Sequence, residues 1–234
     1  MKIAGFQKTT LIDYPEKIAC TLFIYGCNFR CGFCHNPELV LPQNSDLKDY
    51  QEEKILDFLN KRKKQLEGVC ITGGEPLMTL ELNFVKQIKD LGYSVKIDTN
   101  GSFPEKLKKL IDENLVDFVS MDIKSSKENY NKIANADVDI KKIEKSVKLI
   151  SNLKDYEFRT TVVGGIHTPE EMEKIAIWLN ELIGKPKKFC LQGFKNKGKV
   201  IENIYKMKKD VKEDYLVKLK KFIKNYFEEI EVRV

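Results

Sequence analysis

The sequence contains no run of about eighteen apolar residues, so no segment of it reads as a membrane-spanning helix. Its opening residues, Met-Lys-Ile-Ala-Gly-Phe-Gln, lack the apolar core of a secretion signal, which points to a cytoplasmic protein whose thiols stay reduced. Low-complexity segments and shifts of composition are absent too, and residues 1–234 read as a single domain. Arginine is scarce: Arg30, Arg62, Arg159 and Arg233 are the four among 41 basic residues. Arginine is the preferred residue for bidentate base and phosphate contacts, so the formal net charge of +6 does not by itself indicate nucleic-acid binding. Most lysines fall on helix faces, often near glutamates, as at 105–109 and 218–224, where solvated faces account for them. A basic docking surface for an acidic partner is the other reading. Histidine is limited to His35 and His167, and cysteine to six residues. What remains, 42% apolar and 32% charged, suits a globular chain with enough apolar surface for a core.

Three of the six cysteines, Cys27, Cys31 and Cys34, fall in one C-x3-C-x2-C run. Random placement would produce that pattern only roughly 0.004 times. Thiolates this close along the chain can turn toward one metal centre. A cubane iron–sulfur cluster usually takes four cysteines, and with three of them one iron keeps an open position, as a catalytic metal requires. The competing reading is a zinc knuckle, within a non-catalytic zinc or nucleic-acid-binding module. That would normally need a second C-x2-C or a histidine pair nearby, and no further cysteine follows until Cys70.

Strand-like and helix-like segments alternate along the chain. Residues 17–26 read as a buried strand that runs into the cysteine loop, and 68–72, 93–98, 116–123, 156–163 and 188–192 read as further strands. Between them, 48–66, 80–91, 104–111, 140–153 and 169–183 read as helices, followed by a last helix over 210–227 with Tyr215, Leu219, Phe222 and Tyr226 inward. Ile230, Val232 and Val234 alternate as a terminal strand would. Repeated strand–helix units imply parallel strands with helical crossovers. About six such units are too few to close an eight-stranded barrel, so the expected fold is α/β, an open, partial parallel β/α barrel. In parallel α/β folds the active site lies where strands end and the following loops begin.

Polar motifs sit at those strand ends. Gly73-Gly74-Glu75-Pro76 follows a strand; its glycines allow a close backbone approach, and Glu75 is able to accept hydrogen bonds from an ammonium group or to sit at a helix N-terminus. Asp98-Thr-Asn100-Gly ends the third strand. Asp122 and Lys124 end the fourth and point to one side, since strand side chains alternate. They suit either ligand binding or an ion pair at the barrel mouth. Arg159 lies on the fifth strand, placed for a bidentate carboxylate contact or for a strand surface. His167, beside Pro169, is expected to be exposed. Cys20, Cys70 and Cys190 fall within strands and read as packing residues.

The cysteine spacing, with aromatic Phe33 before the last cysteine, resembles the radical S-adenosylmethionine (radical SAM) enzymes. The run 9–15, Thr-Thr-Leu-Ile-Asp-Tyr-Pro, and residues 27–40 are similar to a narrower group, the activating enzymes of glycyl-radical proteins, especially those serving anaerobic ribonucleotide reductase. The match is specific over 9–42, moderate over 68–124 and weak beyond 155. It implies one [4Fe-4S] cluster on Cys27, Cys31 and Cys34, with SAM chelating the open iron and cleaved reductively to a 5′-deoxyadenosyl radical. A glycine of a partner glycyl-radical enzyme would then lose a hydrogen atom, with a flavodoxin- or ferredoxin-type protein as electron donor. The resemblance also implies SAM contacts from Phe33, His35, Gly73, Gly74, Glu75, Asp98, Asn100, Asp122, Lys124 and Arg159. His35 is expected at a hydrogen bond near the nucleoside or cluster, with metal ligation as its other reading. No catalytic residue beyond the cluster and SAM site is implied. Formate-lyase activases have a histidine on the last strand where this chain has Gln192 or its neighbours, so late-strand contacts depart from that pattern. The alternative within the same family is an enzyme acting on a small molecule such as a deazapurine precursor.

Overall fold

The computed structural model describes residues 1–41, 47–196 and 198–234, so Pro42, the last residue of the run 9–42, lies outside the described residues. Among the described residues, eight strands take the hydrogen-bonded order β1-β2-β3-β4-β5-β6-β7-β8, an open sheet with β1 and β8 as its ends. By contact, the chain divides into two compact units, residues 1–28, 38–99 and 105–119, and residues 29–37, 100–104 and 120–234.

In the first unit β1 (Ile3–Thr10) pairs antiparallel with β2 (Ala19–Ile24), and β3 (Gly68–Gly73) and β4 (Ser94–Thr99) follow in parallel. Helices α1 (Pro37–Val40), α2 (Glu52–Lys61), α3 (Leu82–Asp90) and α4 (Pro104–Asp112) connect these strands or follow them. Leu22, Ile24, Val69, Ile71, Val95 and Ile97 are fully buried, and Ile55 and Leu59 of α2 and Val85 and Ile88 of α3 are buried with them. Each such side chain contributes about 1.5–3 kcal/mol on burial, which is what makes the apolar strand segments self-selecting. The sequence pattern does not reveal β1: it carries Gly5, two irregularities in its pairing and three consecutive exposed residues, so strict alternation fails.

β5 (Phe118–Asp122) is divided between the units after Val119. The second unit adds α5 (Tyr130–Ala134), α6 (Ile140–Ser151), β6 (Tyr156–Val162), α7 (Pro169–Ile183), β7 (Lys188–Gly193), α8 (Asn203–Lys206), α9 (Glu213–Ile223) and β8 (Glu229–Arg233). β6, β7 and β8 are parallel. α7 starts where Thr168 caps it and Pro169 takes the first turn, and it buries Met172, Ile175, Ala176 and Leu179, the stripe expected from the sequence. The last helix differs from expectation. α9 is shorter than 210–227, its inward residues are Leu216, Leu219 and Ile223, and Phe222 is 48% exposed. Leu219 is inward as expected, but Leu216 and Ile223 fill the inner face beside it in place of the aromatics. The short helices α5 and α8 hold too few residues to show a helical period.

Candidate functional site

In the first unit the chain leaves β2 through Gly26, whose φ of +98° favours glycine, and enters Cys27. β3 lies beside it in register, Ile24 against Gly73. The Gly74 N–H donates to the Ile24 carbonyl (2.9 Å) and the Glu75 N–H to the Gly26 carbonyl (2.7 Å). A Cβ on Gly74 would stand 2.1 Å from the Gly26 carbonyl oxygen and 3.1 Å from Cys27 Cβ. The glycines of this motif therefore let the loop after β3 pack directly on the loop that carries Cys27. Glu75 is fully buried. Its Oε1 accepts from the Leu77 N–H (3.1 Å) and the Thr99 hydroxyl (2.7 Å), so it caps the turn at 76–78 and ties the end of β3 to the end of β4. Asp98 pairs with Lys96, two residues earlier on the same face of β4; Lys96 also lies 3.8 Å from the Cys70 sulfur.

The second unit holds Cys31, buried, and Cys34, half-buried, joined in a turn by the Cys34 N–H donating to the Cys31 carbonyl (3.0 Å). Phe33 is buried with its ring against Tyr205 (5.8 Å) and edge-on to His167 (6.4 Å), and the His35 ring stacks on Phe194 at 5.2 Å. Asp122 accepts from Lys124 Nζ (2.9 Å) and from Arg159 Nε (2.8 Å), all three side chains being largely buried. Burial alone would raise the Asp122 carboxyl, but the Arg159 and Lys124 cations outweigh it and hold the carboxyl below the usual carboxylate range. The ion pair considered for Asp122 and Lys124 is thus built, and Arg159 joins it rather than facing solvent. Asn100 forms its own turn, accepting from the Ser102 N–H (3.0 Å) and hydroxyl (2.5 Å).

His167 is fully buried, contrary to the exposed loop position expected. Its Nδ1 accepts from the Val163 N–H (2.9 Å), so Nε2 carries the hydrogen and donates to the Lys124 carbonyl (3.0 Å). Burial pushes its pKa down, which keeps the ring neutral. A cavity of about 350 Å³ opens beside the cysteine turn, lined by Gly32, Ser125, Asn129, Glu171, Glu202 and Tyr205 among others. Glu171 accepts from the Ser125 hydroxyl (2.5 Å), the Ser126 N–H (2.8 Å) and Asn129 Nδ2 (2.9 Å). Burial opposes its ionisation, but these donors prevail and hold it below the usual carboxylate range. Sequence reasoning missed these residues. The pattern Thr-x-x-Glu at 168–171 would have marked a capping box. Half of it forms, since the Glu171 N–H donates to Thr168 Oγ1 (3.3 Å), while the Glu171 carboxylate turns to the segment 125–129 instead.

None of the six cysteines is joined in a disulfide. Cys20 and Cys190 are buried in strands, where burial pushes each thiol up to about 12, and Cys70 is buried likewise, which fits packing roles. Cys31 is pushed up to about 11, chiefly by burial, with the Lys124 cation pulling the other way. Such a thiol ionises readily only when a metal displaces its proton. Among the described residues, no three His, Cys, Asp or Glu side chains form a ready metal-binding group, so the fit of an iron–sulfur cluster here rests on donor chemistry, with soft thiols in one loop beside a buried cation.

The sequence profile described as the radical SAM superfamily matches residues 21–179, more than half of the chain. The chain belongs to that family, whose members use a [4Fe-4S] cluster and SAM. A Methanocaldococcus jannaschii protein provisionally named as a glycyl-radical enzyme activating enzyme is 30% identical over 238 residues, covering 99% of this chain and 95% of its own. A pyruvate formate-lyase-activating enzyme of Clostridium pasteurianum is 31% identical over 133 residues, about half of each chain. The crystal structure of QueE from Escherichia coli superposes with a TM-score of 0.62 at 16% identity, over 100% of this chain and 93% of that one, a likeness of fold. No helix among the described residues is long and apolar enough to cross a membrane.

Proposed function

We propose that residues 1–234 form a single radical SAM domain that activates a glycyl-radical enzyme, most specifically an anaerobic ribonucleotide reductase, in the cytoplasm. The observation that supports the activase reading is the match, over 99% of this chain, with a protein provisionally named as a glycyl-radical enzyme activating enzyme. The run 9–15 and the cysteine loop support the ribonucleotide reductase assignment.

In this reading Cys27, Cys31 and Cys34 hold one [4Fe-4S] cluster. When bound, the cluster and SAM supply a carbon-centred adenosyl radical by one-electron reductive cleavage of SAM. Asp122 fixes Lys124 and Arg159 beside each other, and the two cations offer charge-assisted donors for a carboxylate. Glu75, Gly73 and Gly74 hold the loop next to Cys27 in place and contribute to the SAM site. Phe33, tilted against Tyr205, and His35, stacked on Phe194, brace the cysteine turn and face the nucleoside, while Asp98 and Asn100 supply polar groups at the end of β4. A flavodoxin- or ferredoxin-type protein supplies the electron.

The test uses a candidate partner whose radical-site glycine carries deuterium at Cα. Mixed anaerobically with reduced protein and SAM, it is expected to yield 5′-deoxyadenosine one mass unit heavier. Heavier product from a deuterated deazapurine precursor, with none from the partner, would replace this reading by the small-molecule alternative.

A further inference from the structure

The net charge of the chain is not spread over its helix faces. Residues 195–212 hold seven lysines against two acids, Glu202 and Asp210, and so carry five of the six net positive charges. The described residues of this segment, 195–196 and 198–212, lie between β7 and α9 and close on themselves. The Val211 N–H donates to the Phe194 carbonyl (2.9 Å) at its base, and Asn196 Nδ2 donates to the carbonyls of Lys206 (2.6 Å) and Lys208 (2.8 Å) across it. Lys199, Lys206, Lys209 and Lys212 are exposed, and α8 turns Ile204 (62% exposed) and Met207 (84%) outward between them. The inner side of the same loop rests on the cysteine turn. The Glu202 N–H donates to the Gly32 carbonyl (3.0 Å), and the Tyr205 ring lies 5.8 Å from that of Phe33.

We propose that this loop is the docking surface for an acidic one-electron carrier protein. The inference rests on the radical SAM assignment and on Cys31 and Cys34 as cluster ligands. A basic surface that also exposes two apolar side chains, Ile204 and Met207, suits a transient, electrostatically steered complex with an acidic protein. Its inner wall is one side chain from the cysteine turn, which suits electron delivery: the carrier is oxidised by one electron and the cluster is reduced by one.

The test compares wild type with Lys206→Glu/Lys209→Glu, both reconstituted with iron and sulfide, using reduced flavodoxin as the protein donor and dithionite as the small-molecule donor. At low ionic strength, flavodoxin is expected to reduce the variant's cluster at least tenfold more slowly, and the steep fall of the wild-type rate with salt is expected to flatten. Iron content, dithionite reduction and dithionite-driven SAM cleavage should match wild type, which separates failure of this inference from failure of the radical SAM reading. Wild-type rates with flavodoxin would overturn the proposal. So would normal flavodoxin rates together with loss of dithionite-driven glycyl-radical formation on a partner, since the loop would then dock the substrate protein. Lys206→Gln/Lys209→Gln, with an intermediate rate, checks that charge rather than loop damage is responsible.

Discussion

Asp122 accepts from both Lys124 and Arg159, so removing its charge leaves two cations side by side in a largely buried place. Asp122→Asn is expected to destabilise the apoprotein by about 2–3 kcal/mol, below the 3–5 typical of a fully buried pair because the three side chains keep some solvent contact. A urea midpoint measures this. The pH dependence has a definite sign. The folded carboxyl is held below its unfolded value of about 3.9, so its contribution is complete above that value and is lost as pH falls toward the folded one. Glu231 adds to the same trend, held at about 2, chiefly by hydrogen bonds from Arg233. The midpoint should therefore stay level from roughly pH 8 to 5 and drop below roughly pH 4.5, with a shallower drop in Asp122→Asn. An equally steep drop in the variant would contradict this. Among the cysteines, alanine at Cys27, Cys31 or Cys34 is expected to abolish iron binding, while alanine at buried Cys20, Cys70 or Cys190 should leave iron per chain near wild type. Iron analysis after anaerobic reconstitution decides between them.

The loops after β2 and β3 behave as one element. From the sequence alone, Gly74→Val is expected to impair SAM binding and spare the cluster, because the cysteine loop is a separate segment. With the Gly74 Cβ position 2.1 Å from the Gly26 carbonyl, the added side chain must push the Cys27 loop. The expected outcome is that iron loading and SAM cleavage fall together, and full iron loading with lost cleavage would return the sequence-based view. Thr99→Val removes a donor from fully buried Glu75 and should cost about 1–3 kcal/mol, read from thermal or urea unfolding. The strands that bury apolar residues on both faces were legible from their composition, as were α6, α7 and the placement of each motif at a strand end. β1 was not, because its irregular pairing breaks the alternation on which recognition depends. The buried place of His167 was not legible either. Its two ring nitrogens are satisfied by the backbone of Val163 and Lys124, residues whose meeting depends on the tertiary fold. Asp122, Lys124 and Arg159 were each identified, but their union in one cluster follows from the adjacency of β5 and β6, which period-two spacing within one strand does not encode.

For the molecule as a whole, family membership supplies the cofactors, and the identity of the substrate is the point to be measured. The lysine-rich loop at 195–212 bears on the supply of electrons, while the activase reading concerns where the radical ends. Electron paramagnetic resonance of reduced protein, SAM and an anaerobic ribonucleotide reductase, mixed without oxygen, tests that reading most directly. The account predicts a glycine-centred doublet on the reductase, which disappears when its radical-site glycine is replaced by alanine. Turnover of SAM with no doublet on the reductase or on any other glycyl-radical protein would contradict it.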